Sequence, residues 1–234
     1  MGCRLLLIST SRVFGTGYLE HALEELRDVL AGARRVLFLP YALQDHDGYA
    51  AKVGAAFAEI GLSLDSAHEA EDPRRAVERA EAIFCGGGNT FRLLDSLYRA
   101  GLIDIIRQRA LGGMPYTGAS AGSNLACPTI RTTNDMPIVQ PPTFDALGLV
   151  PFQINPHYLD PDPGSTHMGE TRETRIREFH EENAIPVVGL REGAMLRVEG
   201  DAVELRGRAG ARLFRRGEAP VEVAPVARID RLLG

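Results

Sequence analysis

Short apolar runs alternate with amphipathic stretches through the first half of the chain, and this alternation narrows the possible folds more than any other feature. CRLLLIS (3–9), RRVLFLP (34–40), LSLDSA (62–67), EAIFCG (81–86) and MPYTG (114–118) have the length and residue types of β-strands. Between them, YLEHALEELRDVLA (18–31), GYAAKVGAAFAEIG (48–61), PRRAVERA (73–80) and NTFRLLDSLYRAG (89–101), continued by LIDIIRQRAL (102–111), have helical spacing. In the first of these, Leu19, Ala22, Leu23, Leu26 and Leu30 share one face. Strands apolar along their whole length need cover on both sides, and helices crossing between parallel strands supply it. The expected fold class is therefore α/β, a doubly wound and mostly parallel sheet with right-handed crossovers. Such sheets bind ligands beyond the carboxyl ends of their strands, which directs attention to the loops after Ser9, Pro40, Phe84 and Tyr116.

From about residue 184 the pattern changes to short β-type runs separated by Gly, Asp and Glu. These read as antiparallel hairpins, closed by a short helix near RIDRLL. A chain of 234 residues suffices for one sizeable core, and no linker composition or charge run divides it, so 1–234 is read as a single domain.

The formal net charge of −5 argues against general nucleic-acid binding, which needs clustered Lys and Arg; Arg34-Arg35 and Arg215-Arg216 read as solvated ends of elements. The three cysteines, Cys3, Cys85 and Cys127, are widely spaced, form no CxxC pair and suggest no zinc site, so neither metal nor cofactor is expected. Free thiols in apolar runs favour a reducing compartment. The start of the chain lacks a long apolar signal region, and no run reaches the length of a membrane span; the cytoplasm is the expected location, with no membrane partner. The oligomeric state is open, a homodimer being compatible with these features.

Chemistry concentrates in YTGASAGSN (116–124). Gly118-Ala119-Ser120-Ala121-Gly122 matches G-x-S-x-G, in which a serine occupies a strained strand-to-helix turn whose neighbours must be small. The amide of Ala121 then lies at a helix start, placed to donate to a developing oxyanion. A small-residue turn with a buried serine is the plainer alternative. The hydroxyl needs a base, and the base an orienting acid. Among the six histidines, His21, His68 and His180 read as surface residues, His46 as a candidate lining residue, and His167 lies in a Gly/Ser-rich loop. His157, in FQINPHYLD, follows an apolar run and Pro156 in an expected turn. The acid candidates are Asp135, Asp160 and Glu192, the last at a strand end before Gly193. FCGGGNTF (84–91) exposes backbone amides between a strand and a helix. A phosphate or nucleotide is one option, although the dinucleotide and Walker spacings fail; the second half of an oxyanion hole, around Gly87–Gly88, is the preferred reading because Ser120 needs two donors.

Read together, GGGNTF (86–91), SAGSNLACPTIRTTNDMPIV (120–139), FDALGLVPFQINPHY (144–158) and GETRETRIRE (169–178) resemble the peptidase E family, aspartyl dipeptidases related to cyanophycinase. The resemblance covers nearly the whole chain. It implies a class I glutamine amidotransferase-like α/β fold and a Ser-His-Glu triad of Ser120, His157 and Glu192. The oxyanion donors would be Gly88 and Ala121, with Asp135 as the alternative acid. It also implies hydrolysis of Asp-X dipeptides, a small peptide substrate with an N-terminal aspartate. Binding that substrate needs a cation for the aspartyl side chain and an acceptor for the free amine; Arg172 and Glu170 supply these in one loop, and Asn89 is a further candidate substrate-binding residue. Ala119 stands before the serine where the family often carries a bulky aromatic, which would widen the pocket. Two alternatives are a cyanophycinase-like hydrolase of β-aspartyl-arginine peptides and a non-catalytic binding module with an idle elbow.

Overall fold

The computed structural model describes residues 2–162, 164, 166 and 168–233. The elements run β1 (Arg4–Ile8), a 3-10 turn (Glu20–Ala22), α1 (Leu23–Val29), β2 (Arg35–Leu39), α2 (His46–Glu59), β3 (Ser63–Ser66), α3 (Pro73–Arg79), β4 (Ile83–Cys85), α4 (Thr90–Arg99), α5 (Ile103–Leu111), β5 (Tyr116–Ala119) and α6 (Ala121–Leu125). There follow β6 (Gln153–Tyr158), α7 (Arg172–Glu182), β7 (Val187–Arg191), β8 (Ala194–Glu199), β9 (Ala202–Gly207), β10 (Ala211–Phe214), β11 (Val221–Val223), β12 (Ala227–Arg228) and α8 (Asp230–Leu233).

Two sheets result. The larger has eight strands in the order β12-β9-β8-β1-β5-β4-β2-β3. Its β3-β2-β4-β5-β1 half is parallel, while β8, β9 and β12 extend it antiparallel beyond β1. Leu5, Leu7, Ile83 and Tyr116 face a core shared with α4, α5 and α6, whereas Leu6, Ile8, Phe38 and Phe84 face one shared with α1 and α2. Successive residues of one strand point to opposite faces, so both layers draw on the same short apolar runs. The smaller sheet, β11-β10-β7-β6, pairs β6 with β7 in parallel through the α7 crossover.

The helix starts follow local chemistry. Asp45, Asp72, Asn89 and Thr171 each accept a first-turn amide, and Pro73 opens α3, where a missing N–H costs nothing. The first helix is shorter than its periodicity suggests. The Leu19 amide donates to the Ser11 carbonyl at 2.7 Å and Leu19 takes φ 58°, so regular α-helix begins only at Leu23. The C-terminal strands also divide in a way their pattern does not show. β8 and β9 form the expected hairpin, but β7 and β8 part at Glu192-Gly193 into different sheets. Among the described residues no helix is long and apolar enough to cross a membrane.

The β5–α6 junction leaves no room for side chains. A β-carbon on Gly122 would overlap the Cys85 carbonyl oxygen, which is buried backbone and cannot move aside. Gly122→Ala is therefore expected to lower stability by about 2–3 kcal/mol in urea unfolding, the range of core overpacking. Burial also pushes the thiols of Cys85 and Cys127 up to about 12. At pH 7 iodoacetamide should label neither in the folded chain and both in guanidinium, since the thiolate is the reactive form; labelling of the native protein at either position would contradict their burial.

Candidate active site

Ser120 stands between β5 and α6 with φ 53° and ψ −108°, a backbone that L-residues hold only under constraint. The constraint is visible in its neighbours. Its amide donates to the Ile8 carbonyl at 2.9 Å, and the Ser123 hydroxyl reaches the same carbonyl at 2.8 Å and that of Gly118 at 2.9 Å. Ala119, before it, is fully buried among core residues and does not line the cleft.

His157 lies inside β6 instead of in a turn. Its φ of 52° falls where the register with β7 shifts between Pro156 and Tyr158, and such an irregularity re-aims a side chain out of the strand. The His157 amide donates to Ser9 Oγ at 3.0 Å, and Ser9 Oγ donates to the Leu190 carbonyl at 2.7 Å. With its backbone held, the ring has Nε2 3.0 Å from Ser120 Oγ and Nδ1 2.8 Å from Glu192 Oε1. Glu192 sits at the crossing from β7 to β8, its side chain 53% exposed and that of His157 36% exposed. Water screens such a pair, so the direction of the carboxylate matters more than its charge: an acceptor at Nδ1 favours the tautomer with its proton there and a lone pair on Nε2.

Asp135, the other candidate acid, is turned to a different partner. Its Oδ2 accepts from the Thr90 amide at 2.8 Å and the Thr90 hydroxyl at 2.5 Å. The segment carrying it is stitched to β6: Thr132 Oγ1 donates to the Ile154 carbonyl at 2.8 Å, and Asn134 Nδ2 to the Pro156 carbonyl at 2.7 Å. Asp160, the third acid weighed, forms an ion pair with Arg191 at 2.7 Å.

Gly88 has φ 137°, and a β-carbon there would lie 2.6 Å from the Ala42 carbonyl oxygen. Among the described residues neither the Gly88 nor the Ala121 amide donates to a protein acceptor. Tyr49 Oη donates to the Gly87 carbonyl at 3.1 Å. In a trans peptide the carbonyl and the following N–H point in opposite directions, so this bond turns the Gly88 amide away from Tyr49.

Ser120, His157, Gly87, Gly88 and Asp135 line one open cleft of about 450 Å³. Ser11, Tyr18, Leu43, Tyr49 and Lys52 complete it, and sequence reasoning singled out none of them. Ser11 and Leu43 do fall in loops expected to carry function. Tyr49 and Lys52 stand three apart on α2, a spacing that marks one helix face without saying what it borders. Arg172, Glu170 and Asn89 do not line this cleft. Arg172 opens α7 half-buried; burial and the charge of Arg175 lower its guanidinium pKa, and Asp135 opposes them. Glu170 is exposed and pairs with Arg175 at 3.3 Å. Asn89 caps α4, accepting from the Arg92 amide at 3.0 Å and donating to the Met136 carbonyl at 2.8 Å, so both its polar ends are engaged.

The remaining histidines lie elsewhere. His46 stacks edge-on with Tyr41 and His68, outside the cleft. His68 bonds Ser66 and Asp47. Half-buried His21 has its pKa lowered, chiefly by burial. His180, expected at the surface, is buried with Nε2 3.1 Å from the Ile185 carbonyl. His167 lies outside the described residues.

Residues 5–206 match the family model of peptidase family S51. The chain is 58% identical over 229 residues to peptidase E of Streptomyces coelicolor, covering 98% of this chain and 94% of that protein. It is 51% identical over 232 residues to a Drosophila melanogaster protein named probable alpha-aspartyl dipeptidase, covering 98% and 97%. Its fold is similar to that of a peptidase from an acI-B1 Actinobacterium, with a TM-score of 0.72 over 98% of this chain and 97% of that one at 15% identity. With a family match across most of its length and relatives alike from end to end, the chain belongs to peptidase family S51.

Proposed function

We propose that this chain is a serine peptidase that hydrolyses dipeptides with an N-terminal aspartate. The observation that carries the reading is the hydrogen-bonded series Glu192–His157–Ser120, at 2.8 and 3.0 Å, beside two unengaged backbone amides. Ser120 Oγ attacks the peptide carbonyl carbon while His157 Nε2 takes its proton. The carbonyl electron pair moves to oxygen, and the Gly88 and Ala121 amides stabilise it; one such donor is worth about 3 kcal/mol. Collapse breaks the C–N bond as Nε2 returns the proton to the leaving amine. A water, deprotonated by the same imidazole, then cleaves the acyl-enzyme.

The aspartyl preference is carried to this chain from the name of one relative, and two charged groups in and beside the cleft suit such a substrate. Arg172 brings a half-buried cation near Asp135. Asp135 itself is the carboxylate lining the cleft, a partner for the substrate's α-amine. All residues of the proposed reaction come from one chain, which we take as a single domain, 1–234, so a homodimer is not needed for the chemistry. The free thiols favour the cytoplasm as its compartment.

Ser120→Ala should abolish turnover of Asp-Leu with an unchanged circular dichroism spectrum; wild-type-like turnover would remove the mechanism. Glu192→Gln should lower kcat about 10²-fold, near the lower end of general-base contributions because the carboxylate is half-exposed. Asp135→Asn should act mainly on KM, and the opposite ranking would move the acid role to Asp135. Tyr49→Phe should lower kcat by up to about tenfold at nearly constant KM, the worth of one hydrogen bond that aims the oxyanion donor. Cleavage of β-Asp-Arg but not Asp-Leu would replace the α-aspartyl reading with a cyanophycinase-like one.

A further inference from the structure

The cleft carries opposite charges on opposite sides of its nucleophile. Asp135 is bonded to Thr90 at the start of α4, and α4 packs its Leu93, Leu94 and Leu97 into the same core as Ala121. Lys52 belongs to α2, which packs Tyr49, Val53 and Phe57 into the core on the other face of the sheet. Ser120, at the end of β5, lies between them, and both charged residues line the cleft around it. A continuous wall joins Lys52 to the nucleophile. Its Nζ lies 4.4 Å from the centroid of the Tyr18 ring, Tyr18 Oη is 3.3 Å from Tyr49 Oη, and Tyr49 bonds Gly87. A β-carbon on Gly87 would be 3.1 Å from Ser120 Cβ, so that wall ends at the nucleophile.

Among the described residues no carboxylate pairs with Lys52; the contact it makes is the face of Tyr18. A cation resting on an aromatic ring keeps its three donors for an incoming anion. In a dipeptide the C-terminal carboxylate is joined to the scissile nitrogen through a single Cα, which places it within about 4 Å of the reacting carbonyl carbon. The two ends of the substrate leave that carbon in opposite directions. With the amine toward Asp135, the leaving residue points toward Tyr18 and Lys52. A longer peptide would present an uncharged amide at the same point.

We propose that Lys52 binds the free α-carboxylate of the leaving residue and so sets a preference for two-residue substrates over longer ones. The inference rests on the serine peptidase reading given above but not on its aspartyl specificity. The test compares kcat/KM for Asp-Leu and its C-terminal amide, Asp-Leu-NH2, with the same pair built on alanine, in wild type, Lys52→Met and Lys52→Arg. Wild type should favour the acid over the amide about tenfold, the worth of a charge-assisted hydrogen bond at a partly open site. Lys52→Met should bring that ratio near one through a higher KM for the acid, while Lys52→Arg retains it, a pattern that a general folding defect does not produce. Equal cleavage of acid and amide by wild type, or a Lys52→Met variant that slows both by the same factor, overturns the proposal and leaves the aspartyl dipeptidase reading intact. A wild type that cleaves only the alanyl pair, still favouring the acid, upholds Lys52 and removes the aspartyl specificity. Turnover of none of the four substrates overturns both.

Discussion

Two consecutive residues at the end of β1 hold the candidate site in place. The Ile8 carbonyl accepts from the Ser120 amide and the Ser123 hydroxyl, and the Ser9 hydroxyl accepts from the His157 amide while donating to Leu190. Both residues are fully buried, so none of these groups can exchange its partner for water without a desolvation cost. Through this point the Ser120 hydroxyl on the eight-stranded sheet and the His157 imidazole on the four-stranded sheet share one anchor. The 3.0 Å contact between their side chains is a consequence of that backbone arrangement.

The two acids near the imidazole show how position divides labour between like groups. Glu192 reaches Nδ1 from a crossing between sheets, where solvent weakens its charge but not its direction. Asp135 has one oxygen bound twice by Thr90, so it is fixed at the start of α4 and faces the cleft. Neither is adjacent to His157 in sequence, and nothing in composition separates them. The side-chain hydrogen bonds of TTND (132–135) to the β6 backbone decide which one can touch the ring.

The strand-and-helix order of the first half was legible in the sequence because each apolar run has one structural use. Where a single tertiary hydrogen bond competes, as from Leu19 to Ser11, periodicity overstates the helix. The separation of β7 from β8 was hidden for a different reason: a tight turn between apolar strands reads the same whether they pair or part. Ser120, Gly88 and Ala121 stood out because small residues in a strand–turn–helix setting have few other purposes. Tyr49 and Lys52 did not, since an amphipathic helix shows its sides but not which of them meets a loop from another part of the chain. His180 was misjudged because its polar neighbours suggest solvent, whereas one carbonyl, that of Ile185, suffices to satisfy a buried ring nitrogen.

The left-handed torsion at Ser120 has a thermodynamic corollary. Glycine would occupy that backbone well without penalty, while a side chain there costs on the order of 1–3 kcal/mol. The molecule would thus be sturdier with no side chain at that position, and a hydroxyl can be carried only on one. Durability and the presentation of a hydroxyl pull against each other at a single dihedral angle, and the chain has settled that contest in favour of the hydroxyl.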